Sequence, residues 1–533
     1  MHRVIKMIWG LGLMVAMATA WADPVSPQAQ MAVQQHGRAR VMVMLDSTAG
    51  NRVPSMSATS LPAGGLALAA KQRARRVSQD RDALLSTLPR GGYRVRRSFA
   101  QVPALVMDVD AQALQRLRRN PRVLGVDLDR GGTGASVAPD ESSVVNGVSL
   151  LQPASLDGRG MKVAVIDTGV DSDHPDIAAQ LLDEQCFCSL ADGDRGCCPN
   201  GLTSQSGKGA AEDDNGHGSN VAGIIVGQGR VAPRGAVPAA QLVAVKVLDR
   251  QNNFCCSSDV VAALDWLASH HPDVDVVNLS LGSWDLYAGS CDNSRSSTRA
   301  LKSAVDRLTE LGAVVVASAG NQGSANAMSA PACLSNVLGV AAAWDVNAGP
   351  ATLLGCTEAS RAPRQPACFS NRSATTALYA AGAMVTSVGL AGGTSVFGGT
   401  SQAAPMVAAC QLALKQAAPA ATVVQRMDAV RLSYSRVTDI VSGRGYAFLD
   451  CPDAVDLLQP GYFSSPRQPI AVRGAQPLIP PRGPRTSGSS VAVGPLLATT
   501  ATATVQPDAL AAIRARTSPP RSSRLLRVRE LEP

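Results

Sequence analysis

Three short segments hold residues whose value depends on being combined: a carboxylate at Asp167, an imidazole at His217 and a hydroxyl at Ser401. Ser401 stands in Gly399-Thr-Ser-Gln-Ala-Ala-Pro405, between a glycine-rich turn and an alanine-rich run that reads as a helix N-terminus. A nucleophilic serine needs that setting, an exposed hydroxyl on a tight turn with the helix N–H groups facing developing negative charge. Taken alone, such a serine reads as a helix cap. His217 lies between two glycines in Asp213-Asp-Asn-Gly-His-Gly-Ser-Asn-Val-Ala-Gly223, at the entrance of a helix, where a lone histidine reads as a surface or capping residue. Asp167 ends the apolar run Met161-Lys-Val-Ala-Val-Ile-Asp, and Thr168-Gly169 begin the turn after it. Chemistry in open parallel sheets collects at the carboxyl ends of strands. Carboxylate, imidazole and hydroxyl in one site would supply a nucleophile, its base and the group that orients the base.

Positioning these groups requires regular elements around them. The run at residues 163–166 reads as a fully buried strand of a parallel sheet, as does 313–319, which runs into a Gly320-Asn321 turn. Helical spacing appears over residues 221–226, 258–269, 300–311 and 402–417. This alternation from 161 to about 418 implies an α/β fold, a mostly parallel sheet with helices on both faces. Upstream, strand, helix, strand, strand, helix and strand follow at 40–45, 71–88, 93–99, 104–109, 111–119 and 123–128. That βαββαβ order is the ferredoxin-like α+β arrangement.

The order Asp167, His217, Ser401, with these flanks, resembles the subtilisin-like (subtilase) serine peptidases. The resemblance implies that Asp167 orients the imidazole, His217 is general base and Ser401 is nucleophile, with Asn321 an oxyanion donor beside the Ser401 N–H. It further implies that Ser280, Leu281 and Gly282, within Val276-Val-Asn-Leu-Ser-Leu-Gly282, pair with an extended substrate, and that Ser318, Ala319 and Gly320 line the substrate site. The chain departs from the family pattern at Ser219 and Asn220, where Thr and His are usual, at Gln402 for Met and at Met406 for His. The chemistry implied needs no cofactor. Asp176 matches a carboxylate that binds structural calcium in many relatives, but the loop Ile224-Ile-Val-Gly-Gln-Gly-Arg230 lacks the expected Asn, so the metal remains unassigned. Residues 103–109 and 121–127 also resemble the inhibitor prosegment of this family, which implies an intramolecular inhibitor cut off by the enzyme within 130–143.

Compartment follows from the ends and the cysteines. Residues 1–22 carry Arg3 and Lys6, an apolar run too short to span a membrane, and an Ala20-Trp21-Ala22 close, the pattern of a secretory signal peptide. Twelve cysteines, all from Cys186 onward, agree with a secreted protein, extracellular or periplasmic. Disulfides fit them better than zinc, because Cys186-x-Cys188 and Cys197-Cys198 depart from zinc-ligand spacing, but their connectivity stays open. The expected organisation is signal 1–22, inhibitor-like propeptide 23–139, peptidase domain 140–459 and a Pro/Arg/Ser-rich disordered tail 460–533. The net charge of +8 divides unevenly: 17 basic against 8 acidic residues in 23–139, but 20 against 30 in 140–459. A basic balance confined to the ends removes the ground for a nucleic-acid partner. The expected protein is a monomeric, self-processed serine endopeptidase without a membrane span, acting on proteins or peptides. Its competitors are a secreted, non-catalytic peptide-binding homologue, which loss of a triad residue would mark, and an esterase, whose Gly-x-Ser-x-Gly elbow is absent around Ser401.

Overall fold

The structure, a computed structural model, describes residues 23–46, 65–133, 142–191 and 195–463. The segments expected to be a signal peptide, and all but the first residues of the tail, lie outside these ranges, as do residues 134–141 of the expected processing region.

An N-terminal lobe opens with helix α1 (Pro27–His36), which the sequence pattern does not anticipate. Its ends are nonetheless defined: the Ser26 side chain accepts from the Ala29 N–H, Pro27 fills the first turn, and Gly37 at φ 75° closes it. Then come β1 (Arg38–Leu45), α2 (Gly65–Leu85), β2 (Tyr93–Ser98), β3 (Ala104–Asp110), α3 (Ala111–Arg118) and β4 (Val123–Leu128). Their antiparallel sheet has the order β2-β3-β1-β4, and the βαββαβ succession is ferredoxin-like. Alternate residues of β1 face opposite ways. Val41, Val43 and Leu45 pack in the lobe's own core, whereas Met42 and Met44 join a core shared with the main lobe. Burial on both faces explains why the strand is apolar without alternation.

The main lobe begins with β5 (Gly132–Thr133) and the short α4 (Ser142–Val145). It continues through β6 (Lys162–Asp167), β7 (Leu181–Phe187), β8 (Ser204–Ser206), α5 (His217–Val226), β9 (Gln241–Lys246), β10 (Asn253–Phe254) and α6 (Ser257–His270). Next are β11 (Val276–Leu279), β12 (Gly282–Ser283), β13 (Leu286–Tyr287), α7 (Ser296–Glu310), β14 (Val314–Ser318), β15 (Met328–Ser329) and β16 (Leu338–Ala343). The hairpin β17 (Ala351–Leu353)–β18 (Cys356–Glu358), β19 (Leu378–Ala381), the hairpin β20 (Val385–Val388)–β21 (Thr394–Phe397) and α8 (Thr400–Ala417) follow. The central sheet has the order β19-β16-β14-β11-β6-β9-β7-β8 and is parallel except for β8. Val163 and Val165 of β6 pack on one face with Val221 and Val407, from α5 and α8. Ala164 and Ile166 pack on the other with Leu264 and Val305, from α6 and α7. This is the α/β fold expected, with helices on both faces.

All twelve cysteines pair, as 186–198, 188–197, 255–256, 291–333, 356–368 and 410–451. The zinc alternative for the first cluster is thereby removed, because its four sulfurs are bonded to one another instead of standing as thiolates.

Carboxylates placed at helix ends join the lobes. Asp129 accepts from the Ser258 N–H (3.0 Å) and hydroxyl (2.6 Å) at the start of α6, and Asp127 accepts from the Ser296 N–H at the start of α7. Negative charge is favoured at these positive helix ends. In the opposite sense, Asp265 of α6 accepts from the backbone N–H groups of Ala100 (2.7 Å), Gln101 and Val102 (3.0 Å). Removing that carboxylate leaves three amides without their acceptor, at about 1–3 kcal/mol for each that stays buried. In a full-length Ser401→Ala chain, Asp265→Ala should let an added protease cut within residues 65–133 at least tenfold faster. Limited proteolysis read by mass spectrometry measures this.

Candidate active site

Asp167 is the last residue of β6, which lies between β11 and β9, so its carboxylate emerges near the middle of the sheet. It is fully buried. Its Oδ1 accepts from His217 Nδ1 (2.6 Å) and from the Thr168 N–H (2.7 Å). An ionised carboxylate only accepts, so Nδ1 carries the proton and Nε2 is the basic nitrogen.

His217 is the first residue of α5, which starts four positions before the 221–226 expected from apolar spacing. Asp213 is the reason. Its Oδ1 accepts from the N–H groups of Asn215 (3.0 Å) and Gly216 (2.9 Å), and its Oδ2 from the Ser219 N–H (3.0 Å) and hydroxyl (2.6 Å). Burial works to raise the Asp213 pKa, but these hydrogen bonds outweigh it and hold the carboxyl below its usual range. Gly216 turns the chain at φ 99°, and Gly218 donates to Thr168 Oγ1 (2.8 Å). A Cβ at Gly218 would collide with the Gly169 carbonyl, so glycine there permits the close approach of α5 to the end of β6. The Phe397 ring meets the imidazole edge-on, with centroids 5.5 Å apart.

Ser401 is the second residue of α8. Pro405 lies inside that helix and has no N–H to give the Ser401 carbonyl one turn earlier. Ser280 supplies the replacement: its hydroxyl donates to the Ser401 carbonyl (2.7 Å), and its own carbonyl accepts from Ser401 Oγ (3.0 Å). Asn278 Nδ2 steadies the Ser280 hydroxyl (2.9 Å). Ser401 itself is 1% exposed, against the expectation of an exposed hydroxyl, because Ser280 and the Asn321 turn enclose the start of α8. His217 Nε2 has no hydrogen-bond partner among the described residues. Asn321 is anchored by its oxygen, which accepts from the Thr400 N–H (3.0 Å) and hydroxyl (3.0 Å). That anchoring leaves the Nδ2 end of the amide for a ligand.

The other candidate residues form two walls beside Ser401. Gly282 pairs with Thr133, and Ser283 with Gly132, so β5 lies antiparallel between β12 and β10. Ser318 Oγ donates to the Leu281 carbonyl (3.2 Å), the Ala319 carbonyl accepts from the Ser329 N–H (3.1 Å), and the Gly320 N–H donates to Thr400 Oγ1 (3.1 Å). Ser329 was not foreseen; no sequence signal marks it, since its relation to the walls is purely spatial. Two departures from the family pattern meet: Gln402 Nε2 donates to Asn220 Oδ1 (3.4 Å), while Asn220 Nδ2 reaches the Val385 (3.3 Å) and Ser395 (3.3 Å) carbonyls.

Asp176 does not fit a calcium ion. Its two oxygens accept from the backbone N–H groups of Arg230, Val231 (3.0 Å) and Ala232 (2.8 Å), and Gln228 Nε2 occupies the Val226 and Pro238 carbonyls. Calcium takes six to eight oxygen ligands, and the groups turned toward this carboxylate are donors. These N–H groups outweigh the effect of burial and hold the Asp176 pKa below the usual carboxylate range. Among the described residues, no group of three or more His, Cys, Asp or Glu side chains could hold a metal.

The model of the subtilase family matches residues 158–441, slightly more than half of the chain. The chain belongs to the subtilase family of serine endopeptidases. Among similar proteins, subtilisin amylosacchariticus of Bacillus subtilis subsp. amylosacchariticus is 31% identical, over 60% of this chain and 71% of that protein. An alkaline protease of Shouchella clausii is 30% identical over 65% and 78% respectively. The minor extracellular protease Epr of Bacillus subtilis (strain 168) is 29% identical over 63% of this chain, which spans only 47% of that longer protein. A solved structure of a cold adapted subtilisin-like serine proteinase aligns at 24% identity and a TM-score of 0.41, covering 55% of this chain and 90% of that one.

In this subtilase the Asp213 cap has a testable pH signature. A folded pKa below the ordinary 3.8 gives stability that is present above 3.8 and is lost as pH falls through the depressed folded value. In a Ser401→Ala background, Asp213→Asn should therefore lower Tm clearly at pH 7, and the gap from the parent should shrink between pH 4 and pH 2.5. Thermal melts by circular dichroism across that range check it.

Proposed function

We propose that this subtilase is a secreted endopeptidase made as a zymogen, in which Ser401 is the nucleophile, His217 the general base and Asp167 the orienter. What supports the reading most is one arrangement: the Asp167–His217 hydrogen bond of 2.6 Å beside a groove in which the chain's own Gly132–Thr133 is already strand-paired. That groove leads to Ser280, whose carbonyl holds the Ser401 hydroxyl. A peptide occupying it presents a carbonyl to Ser401 by backbone pairing, whatever its side chains.

In the proposed mechanism Ser401 Oγ turns from the Ser280 carbonyl to His217 Nε2. It then attacks the substrate carbonyl as its proton passes to that nitrogen. Negative charge on the former carbonyl oxygen is met by Asn321 Nδ2 and the Ser401 N–H. His217 returns the proton to the departing amine as the C–N bond breaks. Water, deprotonated by the same imidazole, then releases the acyl group from Ser401. Buried Asp167 keeps Nδ1 protonated and stabilises the imidazolium while it carries the second proton.

Secretion is supported by six disulfides, which persist in oxidising compartments. No helix among the described residues is long and apolar enough to cross a membrane. An inhibitory role for the N-terminal lobe is supported by β5, which fills strand positions a substrate would need. Removal of the lobe would start with a cut at residues 130–143, most of which lie outside the described ranges.

Two variants test this. Wild-type chain should lose its segment up to residues 130–143 and digest casein, whereas Ser401→Ala should stay full length, as N-terminal sequencing will read. Self-processing by purified Ser401→Ala would sink the assignment. Asn321→Ala should still process itself slowly, with kcat reduced on the order of 10²–10³-fold and KM changed little, the pattern of a donor that acts in the transition state.

A further inference from the structure

Asp259 takes no part in the proposed mechanism, yet it is a fully buried carboxylate of the main lobe. It stands in the first turn of α6, on the sheet face opposite α5 and α8, the helices of His217 and Ser401. Ser189 orients it: the Ser189 N–H donates to Asp259 Oδ2 (2.8 Å) and the Ser189 hydroxyl to Oδ1 (3.1 Å). Ser189 follows Cys188, and the 186–198 and 188–197 disulfides fasten this loop to itself. Phe187, between Cys186 and Cys188 in the chain, is held in place by the same two bonds.

The N-terminal lobe sends one side chain to this spot. Arg97 follows a bulge in the edge strand β2, where an extra residue re-aims what comes after it. Its Nη2 donates to Asp259 Oδ1 (2.6 Å) and lies 3.5 Å from Ser189 Oγ. Its guanidinium carbon stands 5.4 Å from the centre of the Phe187 ring. The Arg97 side chain is 12% exposed and the Asp259 side chain not at all. Another pair between the lobes, Arg73–Glu310, is exposed at both partners, and such pairs contribute little. Burial raises the Asp259 pKa, and the charge of Arg97 is the strongest influence against that rise. A buried carboxylate, an oriented hydroxyl and an aromatic face suit a planar guanidinium. A compact ammonium is more strongly hydrated and does not stack.

A cavity of about 190 Å³ lies beside the pair, and its sides come from different lobes. Ser189 and Thr203 belong to the main lobe, whereas its basic side chains, Arg40, Arg94, Arg96 and Arg97, all belong to the N-terminal lobe. We propose that Asp259, Ser189 and Phe187 form a guanidinium receptor outside the catalytic groove, filled by Arg97 in the full-length chain and taken over, once the lobe has left, by an arginine side chain of another polypeptide. The second half of this proposal rests on the zymogen reading above. Departure of the lobe removes the four arginines together and leaves Asp259, still oriented by Ser189, facing an opened site. A polypeptide held there is anchored away from Ser401, so the receptor adds binding strength without touching the bond to be cut.

Chemical rescue tests the receptor in the full-length chain, in a Ser401→Ala background where processing plays no part. Arg97→Ala should lower Tm, and ethylguanidinium at about 10 mM should restore at least half of the loss, while ethylammonium restores less than a fifth. With Asp259→Asn added, ethylguanidinium should restore nothing. Self-processed enzyme with Ser401 blocked by a fluorophosphonate should bind N-acetyl-arginine amide at least tenfold more tightly than N-acetyl-lysine amide in calorimetric titrations. Phe187→Leu, which keeps the carboxylate, should cut that preference to about threefold or less. Equal rescue by the two cations, or arginine amide binding that Asp259→Asn leaves unchanged, overturns the receptor while the peptidase reading stands. A wild-type chain that never sheds its lobe would overturn the zymogen reading and with it the take-over by a second arginine, leaving the rescue to decide the receptor itself.

Discussion

A buried carboxylate met by two donors on one oxygen sets the terms for the rest of the fold. Asp167 has no exposure to water, so its charge must be met by hydrogen bonds or be lost. His217 and Thr168 meet it on one oxygen. To bring them there, α5 has to begin beside the end of β6, and the local sequence serves that one demand. Gly218 allows the approach, Thr168 Oγ1 receives its N–H, and Asp213 holds the preceding turn through two hydrogen bonds and Ser219 of α5 through two more. The parallel sheet contributes rigidity, because β6 is paired on both sides and packed on both faces.

Ser401 is controlled by a different device. A helix that carries a proline at its sixth residue would ordinarily leave a carbonyl without a partner, and Ser280 removes that penalty from outside the helix. The same contact aligns the wall of the groove with the Ser401 hydroxyl. In the proposed mechanism, substrate pairing and the position of Ser401 are coupled through one residue. Asn321 completes the frame by binding Thr400 through its oxygen, which fixes which end of its amide faces the groove.

Much of this was legible in the sequence, and the exceptions have physical causes. Strand β6 and the lobe's β3 could be read because burial on both faces leaves unbroken apolar runs. The start of α5 could not be found from apolar spacing, because its first turn, His217-Gly-Ser-Asn, is polar and buried by hydrogen bonding. Helix α1 escaped because it buries only Ala29 and Val33, too few to make a period, although Ser26, Pro27 and Gly37 mark its ends. Disulfide partners were open because pairing depends on tertiary proximity, as between Cys410 and Cys451. The reading of Asp176 improved with structure, since only the geometry reveals that backbone donors take its lone pairs.

Every one of the six disulfides closes within residues 186–451, and none reaches the N-terminal lobe. Once the connection near residue 133 is severed, nothing covalent joins the two parts. A tethered strand meets its groove at an effectively fixed local concentration, but a severed one answers to mass action. Under the zymogen reading proposed above, dilution would then release the lobe without further chemistry, whereas a high local concentration would retain it. Under that reading the absence of a crosslink would make protein concentration the variable that sets how much of the groove stands open.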